Sequence, residues 1–142
     1  MQITIKEFKT KEQIMLGYPI IHQLYDKMSS ETYSNYIDDM IQGNNYHMIA
    51  AYDNNNLIAV ASYWILTRFY CGRYIQIGNM VVDKDHRSKK IGSKLLKYIE
   101  NKGKEAGCSK YILDSYTENK KSHKLYFKEG FFIEGLHFMK EI

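Results

Sequence analysis

Proline occurs once in this chain, cysteine twice, and no apolar run is long enough to cross a bilayer. The longest mostly apolar stretch, Leu57 to Leu66, is about half of the ~20 residues a membrane-spanning helix requires, so no membrane partner is expected. The first residues, Met1 to Glu7, show neither a long apolar core nor a small-residue cleavage site. No export signal is expected there, and the cytoplasm is the expected location. Cys71 and Cys108 stand far apart and form no CxxC pattern, so they read as reduced thiols. The five histidines, His22, His47, His86, His123 and His137, lack ligand spacing, and no metal is expected. Repeats, linkers and low-complexity segments are missing too, which leaves one domain over 1–142 as the simplest organisation.

What is present is ordinary globular composition, 44% apolar and 25% charged, which excludes wholesale disorder. The net charge of +4 is unevenly placed: residues 1–70 carry five Lys/Arg against seven Asp/Glu, residues 71–142 fifteen against nine. The basic half is suited to an anionic ligand.

Ile3, Ile5 and Phe8 mark a short strand, and Thr10 with Gln13 gives a capping box at the start of a helix. Pro19 sits in the middle of the next apolar-periodic stretch, predicting a kink or two short helices. Ser29 or Ser30 is suited to cap a further helix whose inner face is Tyr33, Tyr36, Ile37, Met40 and Ile41, with Gly43 to end it. From His47 the period changes to that of strands. His47–Tyr52, Leu57–Tyr70 and Tyr74–Val82, joined by Asp53–Asn56 and Cys71–Gly72, predict an antiparallel meander.

The turn after the meander, His86 to Ser93, organises the second half. A strand leads into it and a helical stripe of Ile91, Leu95, Leu96, Ile99, Gly103 and Ala106 leads out, with Gly107 as the stop. Backbone N–H groups at a helix start have no partner inside the helix, and the peptide dipoles concentrate positive charge there. Arg87, Lys89 and Lys90 add formal charge at the end of a helix where the dipole disfavours cations, which points to a bound anion such as phosphate. Tyr111–Leu113 then reads as a buried strand, parallel to its predecessor through a right-handed crossover. Thr117 or Asn119 opens a last helix with Ser122, Leu125 and Tyr126 facing in, Gly130 ends it, and Phe131–Met139 is expected as a final strand. The class is mixed α/β.

Two stretches carry a family resemblance. Asn79-Met80-Val81-Val82 followed by Arg87-Ser88-Lys89-Lys90-Ile91-Gly92 resembles the acetyl-CoA-binding motif of the GCN5-related N-acetyltransferases (GNAT), a strand running into Gln/Arg-x-x-Gly-x-Gly/Ala at a helix start. Asn119, followed by Leu125-Tyr126-Phe127-Lys128-Glu129-Gly130-Phe131, resembles the family's Asn…Leu-Tyr-x-Lys-x-Gly-Phe stretch. The resemblance covers essentially the whole chain. It implies a single-domain mixed sheet in the order β-α-α-β-β-β-α-β-α-β, mainly antiparallel with a central parallel pair between the fourth and fifth strands. It departs from the family at two places, with Lys90 for the first glycine and Lys84 for an earlier proline.

The resemblance also implies a chemistry: transfer of the acetyl group of acetyl-CoA, a co-substrate, to a primary amine of a small molecule or peptide. Arg87, Ser88, Lys89, Lys90, Ile91, Gly92 and Ser93 would hold the pyrophosphate. Backbone groups of Met80, Val81 and Val82 would meet the pantetheine arm and the acetyl oxygen. Asn119 would bond the same arm, its other role being a helix cap. Tyr126 would protonate the departing thiolate, a phenol with a pKa near 10 serving a thiol near 8.5. Asp114 is a weaker candidate for the base, and His123 an alternative to it. Trp64, Tyr63, Phe69 and Tyr70 would line the acceptor pocket or fill the core. Two other functions compete: a catalytically silent CoA sensor, and a basic nucleic-acid-binding module, whose affinity would fall steeply with salt. The basic stretch lacks interleaved aromatics or a reader motif, so nucleic acid is not expected. A homodimer is common among proteins of this kind.

Overall fold

The computed structural model describes residues 2–87 and 90–142, so the expected contributions of Ser88 and Lys89 lie outside the described residues. The chain divides into two compact units, 1–112 and 113–142.

The first unit is built on a five-stranded sheet. Its strands are β1 (Ile3–Phe8), β2 (Tyr46–Asp53), β3 (Asn56–Arg68), β4 (Gly72–Val82) and β5 (Lys110–Ile112), in the order β1-β2-β3-β4-β5. The first four pair antiparallel and β4 with β5 parallel, as the meander and the crossover predicted. Helices cover both faces, so central strands carry apolar residues at consecutive positions instead of alternating ones. On one face Met48, Ala50, Val60 and Val81 pack with Ile14, Ile20, Ile21, Tyr33 and Ile37 of the early helices. On the other, Ile49, Ala51, Ala61 and Ile75 pack with Ile91, Leu95 and Ile99.

Helices α1 (Lys11–Met15), α2 (Tyr18–Leu24) and α3 (Ser30–Ile41) lie between β1 and β2. Thr10 Oγ1 accepts from the Gln13 amide at 3.2 Å, and Gln13 Oε1 accepts in return from the Lys9 amide at 2.6 Å. Pro19 stands in the first turn of α2, where its missing N–H costs no helical bond, so it starts a second short helix. Ser29 caps α3 through the Thr32 amide at 3.1 Å. Tyr36, expected inward, is 52% exposed. It stands three residues from Tyr33, whose hydroxyl donates to the Ile14 carbonyl at 2.8 Å and takes the buried place. The left-handed residue after α3 is Asn44 (φ 58°), not Gly43. Asparagine adopts that conformation more readily than most residues.

Helix α4 (Ile91–Glu105) buries Ile91, Leu95, Leu96, Ile99 and Gly103 of the expected stripe, while Ala106 caps its end and is half-buried. Each buried Leu or Ile contributes about 1.5–3 kcal/mol of transfer free energy. Gly107 (φ 77°) ends the helix as expected.

The second unit holds α5 (Lys120–Lys128), closed by Gly130 at φ 94°. The expected strand over Phe131–Met139 is not found: none of these residues lies in a strand. A strand needs a ladder partner for its backbone groups. The unit offers no second strand, and Glu134-Gly135 interrupts the apolar run, glycine being weak in strands. The parallel β4/β5 pair consequently stands at one end of the described sheet instead of in its middle.

Candidate active site

Strand β4 is irregular where it approaches the turn. Its register against β3 shifts between Ser62 and Tyr63, so that Asn79 faces Ser62, Ile77 faces Tyr63 and Gly78 is left unmatched. Glycine is required there by close approach: a Cβ at 78 would stand 2.7 Å from Ser62 Oγ and 3.3 Å from Trp64 Nε1. Ser62, fully buried, donates to Asn79 Oδ1 at 3.2 Å, and Asn79 Nδ2 donates to the Tyr25 hydroxyl at 3.1 Å. The bulge is thus held by side-chain amide bonds that replace the ladder bonds it forfeits.

Beyond the bulge, one side of β4 has no paired strand among the described residues. Strand β5 pairs only with Tyr74, Ile75 and Gln76, whereas β3 pairs with β4 through to Val82. From Ile77 to Val82 the side of β4 opposite β3 therefore faces no strand among the described residues. Alternate backbone N–H and C=O groups point to that side, ready to bond an amide-bearing chain laid along it.

The strand ends at Asp83, whose amide donates to the Ile58 carbonyl at 2.8 Å. Its Oδ1 accepts from Gln23 Nε2 at 2.7 Å and its Oδ2 from His86 Nδ1 at 2.8 Å. These bonds, Gln23 first and then His86, hold the Asp83 carboxyl below the usual carboxylate range although burial opposes them. A single turn of 3-10 helix, Lys84–His86, follows. Arg87 folds its side chain back so that Nε donates to the Val82 carbonyl at 3.3 Å.

Lys90 precedes α4 in the left-handed conformation, φ 60° and ψ 21°. This is the position where the family motif has glycine, and a side chain there costs roughly 1–2 kcal/mol. Lys90 is exposed, and its side chain makes no capping bond to α4. The amides of Ile91, Gly92 and Ser93, in the first turn, have no helical partners by construction. First-turn amides, a helix dipole and the cations Arg87, Lys90 and Lys94 suit a diphosphate.

Within the second unit, Asn119 precedes α5 without a side-chain capping bond, which leaves its amide group for another partner. Tyr126 is half-buried, its ring edge-on to Phe131 at 6.1 Å. Burial pushes its phenol up, and a Ser122 hydrogen bond pulls the other way. Asp114 is exposed, and its Oδ2 meets His137 Nδ1 at 3.3 Å. His123 Nε2 donates to the Tyr116 carbonyl at 2.8 Å, which fixes the proton on that nitrogen.

Elsewhere Tyr63 is buried, near Glu7 Oε1 at 3.3 Å, while Phe69 and Tyr70 are exposed at the β3–β4 hairpin. Among the described residues no group of three or more His, Cys, Asp or Glu is placed to hold a metal ion, and no helix is long and apolar enough to cross a membrane.

Sequence reasoning missed Gln23, Tyr25, Ser62, Asn79 as a side chain, and Asp83. The one available signal was the i, i+3 spacing of Asp83 and His86.

The chain belongs to the acetyltransferase (GNAT) family, whose profile matches residues 17–131. It is an acetyl-CoA-dependent N-acetyltransferase. It is 29% identical over 141 residues to the uncharacterized N-acetyltransferase YhdJ of Bacillus subtilis, covering 99% of both chains. It is 32% identical over 87 residues to glucosamine 6-phosphate N-acetyltransferase 1 of Dictyostelium discoideum, covering 58% of this chain and 55% of that one. Among solved structures, the aminoglycoside N-acetyltransferase AAC(6')-Iy in complex with CoA superposes with a TM-score of 0.84 at 16% identity, over 99% of this chain and 95% of the other. That likeness is one of fold.

Proposed function

We propose that this protein transfers the acetyl group of acetyl-CoA directly to a primary amine within a ternary complex. The observation that carries the reading is the side of β4 without a paired strand among the described residues, running into the first turn of α4. Extended backbone groups suit the two amides of pantetheine, and a helix N-terminus suits the diphosphate beyond them. In this reading the amides of Ile91, Gly92 and Ser93 hold the phosphates, with Arg87 and the lysines supplying charge. Backbone groups of Met80–Val82 hold the arm and polarise the thioester carbonyl. Asn119 bonds the arm.

The amine nitrogen attacks the carbonyl carbon, a C–N bond forms, and the C–S bond breaks. Tyr126, whose raised pKa keeps it protonated at neutral pH, gives its proton to the leaving thiolate. Asp114, directly or through water, takes the proton that the amine loses. Two of the proteins named above, the glucosamine 6-phosphate and the aminoglycoside N-acetyltransferases, have amino sugars in their names, so sugar amines join polyamines and peptide N-termini as acceptors to try.

Calorimetry with acetyl-CoA, followed by a free-thiol assay over glucosamine 6-phosphate, an aminoglycoside, a polyamine and a peptide N-terminus, tests the reading. Micromolar binding with thiol release on one of these amines is expected. Binding without thiol release on any of them would place the acceptor outside these four classes, and absence of binding would overturn the reading of the cofactor site.

A further inference from the structure

We infer that Gln23 is a positioning residue for the acetyl-CoA turn, holding the Asp83 carboxylate away from the phosphates. This rests on the reading of that turn as the diphosphate site.

A carboxylate one residue past β4, at the mouth of a phosphate site, is a liability. Its charge has the same sign as the phosphates and would repel them. The structure shows it restrained from two sides. Gln23 Nε2 donates to Asp83 Oδ1 at 2.7 Å, and Gln23 Oε1 accepts from the Lys84 amide at 3.0 Å. Both ends of one side-chain amide are therefore spent on consecutive residues of the turn, 60 and 61 positions away in sequence. Gln23 is itself exposed, and an exposed glutamine has water for both its ends. Holding one geometry costs side-chain entropy that only specific partners offset.

The other carboxylate oxygen is taken by His86 Nδ1 at 2.8 Å. Two residues beyond Gln23, the Tyr25 hydroxyl accepts from Asn79 Nδ2 at 3.1 Å. The end of α2 is thereby fastened to β4 at two levels, once at the bulge and once at the exit into the turn. A strand end pinned twice enters the turn in one direction, which leaves the amides of α4 preorganised for the diphosphate. Asp83 stays ionised, but its lone pairs are engaged and its charge is met by donors.

A swap of donor and acceptor tests this. Gln23→Glu sets a second carboxylate against Asp83 and removes the donor. It is expected to weaken acetyl-CoA binding about tenfold by calorimetry, the loss of one charge-assisted hydrogen bond. In the double variant Gln23→Glu/Asp83→Asn, the new amide donates to the new carboxylate, which still accepts from Lys84. The local charge is that of the wild type, and binding is expected to return to within about threefold of it. Gln23→Ala, which deletes both bonds on an exposed position, is expected to weaken binding severalfold and covers the case of an unfolded Gln23→Glu. Wild-type affinity in Gln23→Glu or Gln23→Ala, or a double variant as weak as Gln23→Glu alone, overturns the inference. Failure of the wild-type chain to bind acetyl-CoA overturns the reading of the turn as well.

Discussion

Lys90 is the residue at which the chain departs most from its family pattern, and its backbone explains the departure's cost. Its φ of 60° is a conformation that glycine reaches freely and lysine does not. Lys90→Gly is expected to stabilise the chain by about 1 kcal/mol, seen as a higher urea midpoint at unchanged slope. If lysine is retained for its charge, the same variant will bind acetyl-CoA more weakly while being more stable. Tyr126 makes a different prediction. Tyr126→Phe keeps the ring against Phe131 and removes the hydroxyl with its Ser122 hydrogen bond, so kcat is expected to fall about 10²-fold with little change in acetyl-CoA affinity. Unaltered turnover would remove Tyr126 from the mechanism.

Asp83 contributes to the pH dependence of stability. Its folded pKa is depressed from 3.8. Its bonds therefore stabilise the fold fully above that value and lose their effect as pH falls through the lower folded one. Asp83→Asn is expected to be less stable than the wild type at pH 7, with the gap closing in acid. Urea midpoints at the two pH values measure it.

At the scale of elements, α4 against β4 sets the position of the turn. Gly103 is where they come closest: a Cβ there would stand 2.7 Å from Ile75 Cγ2, and Ile75 is fully buried. Gly103→Ala improves helix propensity by about 1 kcal/mol, yet forces a shift that typically costs 1–3. A net loss of stability is expected, and a thermal melt decides the sign. The glycine in the α4 stripe was visible in the sequence, but its reason, close contact with Ile75 of strand β4, was not.

The same division runs through the rest of the molecule. The meander, the crossover and the caps at Thr10 and Ser29 were legible because periodicity and capping are local. The helix start at Ile91, just after Lys90, was legible because a motif fixed the spacing. The bulge at Gly78 and the Gln23–Asp83 clamp join residues far apart in sequence, through amide side chains that have no period. Phe131–Met139 was misread because local β-character does not supply a partner strand.

For the molecule as a whole, charge is the quantity to test. The half that contains the turn has the excess of Lys and Arg, and CoA is polyanionic. Raising salt from about 50 mM to 500 mM shortens the screening length severalfold. Acetyl-CoA affinity is expected to drop severalfold with it, and a salt-independent affinity would place the phosphates away from Arg87, Lys90 and Lys94.

The most direct measurement is an amide-resolved NMR titration of the uniformly 15N-labelled chain with acetyl-CoA. The backbone amides of Ile91, Gly92 and Ser93 are expected to shift more than any others and to saturate with the calorimetric Kd. Saturable binding that leaves those three resonances in place would contradict the account.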